Sequence, residues 1–325
     1  MPLNIAINGL GRIGRAVLRL ALTQRAGEVA VVRLNDIAAP DLIAYLLEYD
    51  SVFGALPGEV KVDGAALILN GTRIPLTNHS DPAALDYSDV DLLLDCTGKA
   101  TSRTWAEAAL AAGAPKVLIS GPCMDADLTL VLGANDAALT DQRIVSNASC
   151  TTNALAPLLR VIDDAWGLDS GQMTTIHCYT GSQPTVDAPR GDFARSRAAA
   201  LSMIPTTTSA APLTELVLPG LGARVTCHSV RVPTASVSAI DLVVKTERLV
   251  TVEEANAHFA ATAGPILGVT DRPLVSSDLR ARPESLVIAL PETSQSGGLL
   301  RVFGWYDNEW GFSNRILDVA ALMGN

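Results

Sequence analysis

The stretch Leu3–Gly14, LNIAINGLGRIG, decides the fold. Leu3–Asn8 is a short apolar run, which suits a buried strand. It ends in Gly9-Leu10-Gly11-Arg12-Ile13-Gly14, and Gly11–Leu22 continues with apolar residues at helical spacing, at Ile13, Val17, Leu18 and Ala21. A glycine triplet between a strand and a helix is the setting in which G-x-G-x-x-G binds a dinucleotide. Gly9 permits the tight turn, Gly11 lets the backbone approach a pyrophosphate, and Gly14 lets the helix pack closely on its strand. The pyrophosphate then faces the helix N-terminus, where N–H groups and the dipole favour an anion.

Working outward, Val29–Leu34 reads as a second strand and ends at Asn35-Asp36. A carboxylate there suits the ribose 2′-hydroxyl and repels a 2′-phosphate, which favours NAD over NADP. A structural glycine turn with an incidental aspartate is the competing reading. Further strands are expected at Val90–Asp95, Lys116–Ser120, Leu128–Leu132 and Arg143–Ser146, with an Ala-rich helix over Thr101–Ala112. Strands alternating with helices imply a parallel sheet covered on both faces.

The texture changes near residue 150. Ser149–Trp166 reads as one long helix. Met173–Tyr179, Arg224–Val232, Val237–Lys245 and Leu299–Tyr306 are longer runs rich in Thr and Val, suggesting an antiparallel sheet with helices on one face. Gly311–Met323 carries an apolar stripe and should be a helix. The expectation is an α/β chain in two parts: a Rossmann domain over 1–149 and an α+β catalytic domain over 150–313, its sheet mostly antiparallel. Thr180–Arg197 is polar and aperiodic, and a loop that long is usually functional.

Composition narrows the function. The 325 residues carry a formal net charge of −10 and are 48% hydrophobic, which excludes a disordered chain and disfavours nucleic-acid binding. No apolar run approaches the ~20 residues of a membrane span, and no signal peptide is visible. Five cysteines without zinc-type spacing suit a reducing cytoplasm, with no metal site expected.

Cys150 lies at the start of the Ser149–Trp166 helix, where the dipole favours a thiolate. His177 lies near the end of the next strand, and a Cys–His pair supplies a nucleophile and a base. A buried small residue and a hydrogen-bonded core histidine are the bland alternatives. Arg195, Arg197 and Arg231, with the hydroxyls of Thr206-Thr207-Thr208-Ser209, offer the charge and directional donors that a phosphate ester needs. Surface ion pairs and a Ser/Thr turn would use the same residues. Alternation turns Cys178 away from His177, and His79 reads as a solvated loop residue.

Several segments together resemble the phosphorylating glyceraldehyde-3-phosphate dehydrogenases: NGLGRIGR from Asn8 to Arg15, Asn35-Asp36, Tyr49-Asp50-Ser51 and Cys96-Thr97-Gly98. SCTTN from Ser149 to Asn153, RVPT from Arg231 to Thr234 and WYDNEWGFSNR from Trp305 to Arg315 continue the match. The resemblance implies Cys150 as nucleophile and His177 as base. It assigns cofactor contacts to Gly9, Gly11, Arg12, Ile13, Gly14, Asp36, Thr97, Ser120 and Asn314. Thr180, Ser182 and Arg231 would take the substrate's phosphate. Ser149, Thr151, Thr208, Ser209 and Arg195 would lie at or near the site for attacking inorganic phosphate. It also implies a homotetramer, and a C-terminal helix over 314–325 folded back on the first domain.

Departures accompany the match. The family usually has Thr at Ser182, Gly at Ser209, Lys at Pro212, Tyr at Phe312, Arg at Ala194 and His at Phe53. Asp187-Ala188-Pro189 replaces the Leu-Pro pairing of NAD-preferring members, which leaves NADP open. These changes suggest a divergent paralogue near the erythrose-4-phosphate dehydrogenase branch, with water as an alternative to phosphate in releasing the acyl group.

Overall fold

Leu3–Asn8 pairs in parallel with Val29–Asn35 on one side and Leu92–Asp95 on the other. It is the central strand of a nine-stranded sheet in a computed structural model that describes residues 1–324. The last residue of the expected C-terminal helix, Asn325, lies outside the described residues. From Leu92–Asp95 the sheet continues through Val117–Ile119, Ile144–Ser146 and Leu128–Thr129, all parallel. From Val29–Asn35 it continues in parallel to Thr72–Thr77. Strand order therefore reverses at Leu3–Asn8, and such a switch point opens a crevice at the carboxyl ends of the strands. The register aligns Asn8 with both Asn35 and Asp95 there.

The Arg12–Leu22 helix buries Val17, Leu18 and Ala21 of the expected stripe, and Ala16 and Leu20 beside them, while Ile13 is only half-buried. Each fully buried Leu or Val contributes about 1.5–3 kcal/mol, which fixes the helix to the sheet. Two features lie beyond the sequence reading. Pro40–Glu48 is a helix opened by a proline. Val60–Val62 and Ala66–Leu69 extend the sheet in antiparallel fashion beyond Thr72–Thr77.

The chain divides into two compact units. The first holds Met1–Leu130, Asp136–Ala148 and the chain from Ser313 on; the second holds Val131–Asn135 and Ser149–Phe312. Val131–Asn135, part of the first domain in the sequence reading, thus belongs to the second unit. Within the first unit, Arg25 pairs with Asp318 at 2.8 Å and Lys116 donates to the Met323 carbonyl, fastening the Trp310–Gly324 helix.

The second unit is built on an eight-stranded sheet. Leu168–Cys178 lies between Val225–Val232 and Ser238–Thr246, and Leu299–Tyr306 follows. Pairings with Ser238–Thr246 and onward to Leu299–Tyr306 are antiparallel. Leu168–Cys178 and Val225–Val232, however, run parallel, as do Leu267–Thr270 and Leu286–Ala289. The sheet is mixed because the link from Cys178 to Val225 carries a strand, Ile204–Thr206, and a helix, Ala210–Val217. A link of that length permits a parallel return. The register sets His177 beside Arg231, and Arg231 beside Ile204.

Candidate active site

In the first unit the glycine turn forms as its sequence requires. Gly9 has φ +90°, and a Cβ on it would meet the Thr97 backbone at 2.7 Å. A Cβ on Gly14 would lie 1.9 Å from the Gly9 carbonyl oxygen. These two glycines are demanded by packing. Gly11 differs: a Cβ there would meet nothing within 4 Å. It occupies the N-cap of the Arg12–Leu22 helix and supplies no side-chain cap. The open space beside a bare helix start is a cradle that a side chain would fill, and it fits a pyrophosphate. NAD therefore fits the residues present.

Gly9, Gly11, Asp36 and Thr97 line one cavity with Asn8, Asn35, His79, Lys99 and Trp105. Asp36 accepts hydrogen bonds from Leu10 N at 2.6 Å and Ala38 N at 2.8 Å, so its carboxylate also braces the turn. The Arg12 guanidinium pairs with Asp50 and lies over the Phe53 ring at 5.5 Å. Burial opposes the Asp50 charge, but hydrogen bonds from Phe53 N, Arg12 and Val52 N hold its carboxyl below the usual range. The Arg12 side chain is therefore engaged sideways, and its place in the first helical turn is what bears on a cofactor. Ile13 follows it in that turn, half-buried.

The cavity floor is a polar chain that the sequence reading missed. Asn35 donates to Asn8 at 2.7 Å, and Asn8 donates to Asp95 at 3.0 Å. Buried Asp95 also accepts from Trp105 at 2.9 Å and from the Thr97 hydroxyl at 2.6 Å. An aspartate closing an apolar strand was its one signal. Ser120 N bonds the Asp95 carbonyl at 2.9 Å. Burial pushes the Cys96 thiol up to about 12, with the Ser120 hydroxyl opposing weakly, so Cys96 is an inert core residue. His79 is an exposed loop residue, as expected, and it also lines the cavity. Asn314 is 4% exposed in the Trp310–Gly324 helix.

In the second unit the Cys150–Trp166 helix starts at Ser149, whose hydroxyl accepts from Thr152 N at 3.1 Å. Such a cap is worth about 1 kcal/mol. Gly167, at φ +70°, ends the helix. Cys150 thus holds the first helical position, half-buried, and its Sγ lies 3.6 Å from His177 Nε2. The strand register brings Arg231 to the other side of the ring. Its Nη1 lies 2.7 Å from His177 Nδ1 and 2.9 Å from the Cys178 carbonyl.

The electrostatics bear on the thiolate expectation. Burial pushes the Cys150 thiol above its usual range, against the pull of Arg231 and local hydrogen bonds. Burial, with the Arg231 charge second, lowers His177 to about 4. Desolvation thus opposes the thiolate expected at the helix start, and it leaves the imidazole neutral near pH 7. A neutral imidazole is the form that can accept a proton.

Tyr306 is a further residue the sequence reading passed over. Its hydroxyl lies 2.8 Å from both Thr151 Oγ1 and Thr175 Oγ1. Its ring meets His177 edge-on, with centroids 6.0 Å apart. The Thr151 hydroxyl therefore points into the core and is not offered to a phosphate. Cys178 is buried, with Sγ 3.1 Å from Asn308 Oδ1, facing away from the pair as alternation requires.

The remaining candidates form two groups. Thr180 and Ser182 face one another at 3.0 Å between hydroxyl oxygens. Arg195 donates to the hydroxyls of Thr206 and Thr207, the second at 2.6 Å. Thr206 lies opposite Ser229, two residues from Arg231, so this group adjoins Arg231 through the sheet. Thr208 Oγ1 accepts from Ala210 N at 3.1 Å. Ser209 holds the N-cap of Ala210–Val217, exposed and without a side-chain cap bond. Arg197 pairs with Asp187 at 2.8 Å on the surface and does not join either group. Among the described residues no group of His, Cys, Asp and Glu could hold a metal ion, and no helix is long and apolar enough to cross a membrane.

Comparison with known proteins covers both units. Residues 149–308 match the family model described as glyceraldehyde 3-phosphate dehydrogenase, C-terminal domain. Residues 3–103 match that of its NAD binding domain. The chain is 48% identical to a glyceraldehyde-3-phosphate dehydrogenase of Xanthobacter flavus, over 100% of this chain and 99% of that one. It is 47% identical to one of Cereibacter sphaeroides over the same shares. With glyceraldehyde-3-phosphate dehydrogenase 1 of Bacillus cereus it shares 46% identity over 98% of each chain.

Proposed function

This chain belongs to the glyceraldehyde-3-phosphate dehydrogenase family and is an NAD-dependent oxidoreductase of the phosphorylating aldehyde type; on that premise we propose that it oxidises glyceraldehyde 3-phosphate through a thioester on Cys150, which inorganic phosphate releases as an acyl phosphate. The observation that carries the reading is the 3.6 Å contact between Cys150 Sγ and His177 Nε2 at the start of a helix.

In this reading His177 takes the thiol proton as the Cys150 sulfur bonds to the aldehyde carbon, and it returns that proton to the former carbonyl oxygen, which leaves a hemithioacetal and a neutral imidazole. The Cys150 N–H, at the helix start, donates to the oxygen that gains charge. Bound NAD supplies a hydride acceptor. His177 removes the hydroxyl proton of the hemithioacetal as the thioester forms, a contribution of typically ~10²–10⁴-fold. Phosphate then attacks the acyl carbon and Cys150 departs as the leaving group. Thr180, Ser182 and Arg231 hold the substrate's phosphate. Ser149, Thr208, Ser209, Arg195 and the Thr151 N–H serve the incoming phosphate. Asp36, with Thr97, Ser120 and Asn314, completes the cofactor contacts.

The chain acts in the cytoplasm as a homotetramer. The cysteines are all unpaired, as suits a reducing compartment. Val186, Phe193, Leu201 and Met203 are 70%, 100%, 84% and 75% exposed on and just after the long polar loop, apolar surface that a neighbouring subunit would cover.

The test is NADH formation from a panel of phosphorylated aldehydes, with and without inorganic phosphate, and with NAD and NADP each tried. Phosphate-dependent turnover of glyceraldehyde 3-phosphate with NAD is expected. Turnover without phosphate would replace the acyl-phosphate step by hydrolysis, and inactivity toward that aldehyde would overturn the substrate.

A further inference from the structure

Cys178, the residue after His177, is held through each of its polar groups. Its N–H donates to the Ser238 hydroxyl at 3.1 Å, and its thiol donates to Asn308 Oδ1 at 3.1 Å. The Ser238 hydroxyl donates in turn to Asn308 Oδ1 at 3.3 Å. The Cys178 carbonyl oxygen lies 2.9 Å from Arg231 Nη1 and 2.7 Å from His177 Nδ1. The following N–H, that of Tyr179, donates to the Thr234 carbonyl at 3.1 Å. Donors and acceptors match: Ser238 Oγ takes one hydrogen and gives one, and Asn308 Oδ1 has two lone pairs for two donors. Cys178, Ser238 and Asn308 are all buried. Burial pushes the Cys178 thiol up to about 12, which keeps its donor proton in place near pH 7.

These contacts sit where the sheet ladder stops. Pairing between Leu168–Cys178 and Ser238–Thr246 ends with Ile176 opposite Ala239. Two residues on, the same register would set Cys178 opposite Val237, but buried Val237 has φ +64°. The left-handed region is an outlier for a β-branched residue, and such strain persists only where the surroundings over-determine it. The bend takes Val237 out of the ladder, and the Ser238 side chain serves the Cys178 N–H in place of a backbone carbonyl.

We propose that Ser238 and Asn308 are positioning residues for His177: they fix Cys178, and the Cys178 carbonyl fixes the side of the imidazole turned away from Cys150, so that Nε2 stays aimed at the sulfur. The proposal rests on the reading of His177 as the base for Cys150. Both residues act through Cys178. The contact they protect is the 3.6 Å approach of Nε2 to Sγ, and a misplacement of about 1 Å at a reacting pair can cost ~10²-fold in rate.

The test is the rate at which iodoacetamide alkylates Cys150 in the full chain, followed across the pH range of thiol ionisation by the mass of the peptide that carries Cys150. Cys150→Ala gives the blank. Alkylation needs no aldehyde, cofactor or phosphate, so it reads the pair even if the proposed oxidation fails. Ser238→Ala removes the acceptor of the Cys178 N–H. It should slow alkylation at pH 7 on the order of tenfold and move the pH midpoint upward, since an imidazole out of line stabilises the thiolate less. Cys178→Ala should move both in the same direction. Cys178→Ser, which keeps a donor for Asn308, should return them toward wild type. Wild-type rate and midpoint in both Ser238→Ala and Cys178→Ala, whatever their melting temperatures, would reduce these contacts to core packing and overturn the proposal. Equal slowing in Cys178→Ala and Cys178→Ser would overturn it too. If Ser238→Ala does not fold, the Cys178 pair of variants decides alone. His177→Asn alkylated at the wild-type rate would remove the base itself, and the proposal with it, a result distinct from either of the others.

Discussion

The glycine turn of the first unit and the cysteine–histidine pair of the second are assembled from different kinds of information. At the turn, the shape of the cavity is set by backbone: Gly9 against the Thr97 peptide, Gly14 against the Gly9 carbonyl, Gly11 against open space. Three residue identities within one hexapeptide carry most of it. At Cys150 the shaping contacts join side chains far apart in sequence. Cys150 and His177 are 27 residues apart, His177 and Arg231 are 54 apart, and Thr151 and Tyr306 are 155 apart. The lesson is that the cofactor cradle is robust to changes elsewhere in the chain. The nucleophile depends on sheet register and on whatever holds helix to strand.

The largest expected effect separates the two regions outright. Cys150→Ala should lower aldehyde oxidation on the order of 10⁴-fold or more, since no other group can form the acyl bond. NAD affinity by calorimetry should stay within error, because the first unit is untouched. Retained NADH formation would mean that the pair at 150 and 177 is not the reacting centre.

Within the turn, the glycines should divide. Gly14→Ala forces a Cβ onto the Gly9 carbonyl and should destabilise the protein by about 1–3 kcal/mol, the usual cost of overpacking. Gly11→Ala has room for its methyl, so the melting temperature should hold. NAD affinity should instead fall roughly tenfold, or about 1.4 kcal/mol. Equal melting-temperature losses in the two variants would erase the distinction between a packing glycine and a cradle glycine.

Those differences mirror what was legible beforehand. The Leu3–Asn8 and Leu299–Tyr306 strands and the Cys150–Trp166 helix could be read because strong apolar runs end at Gly9, Asp307 and Gly167. Val60–Val62 and Thr72–Thr77 escaped. They are short elements, the first at the sheet edge, interrupted by Lys61, Arg73 and Pro75, and their pattern is that of a polar loop. The parallel pairing of Leu168–Cys178 with Val225–Val232 escaped because strand direction is decided by the connection and leaves no mark in either strand. At the site, Cys150 and His177 stood out by chemistry. Asp95 and Tyr306 did not, since each acquires its meaning from partners that the fold brings in.

The pair's burial gives the next test. His177 titrates near 4 in the folded chain, against an ordinary 6.5. Between those values the unfolded chain binds a proton that the folded chain refuses, so stability falls as pH drops through the window. The steepest slope from one such group is about 1.4 kcal/mol per pH unit. Wild type minus His177→Asn in urea melts from pH 7 to 4 should isolate this part. A flat difference would place the imidazole in contact with water and weaken the contrast between a buried nucleophile site and an open cradle.

The finest test concerns the element joining helix to strand. Tyr306 is 2% exposed, and its hydroxyl bridges Thr151 on the nucleophile's helix to Thr175, which lies on the same strand face as His177. Tyr306→Phe keeps the ring and its edge contact with His177 but deletes the bridge. The loss in stability should be about 1 kcal/mol, the net worth of a buried neutral hydrogen bond after local rearrangement. If the bridge also sets the Cys150–His177 distance, kcat should fall more than stability does while KM for the aldehyde stays near its wild-type value, because positioning acts on the reaction step and not on phosphate binding. A variant that loses the stability and keeps kcat would make Tyr306 a core residue alone, and the precision of the pair would then have to come from other contacts, among them the Ser149 cap and the His177–Arg231 register.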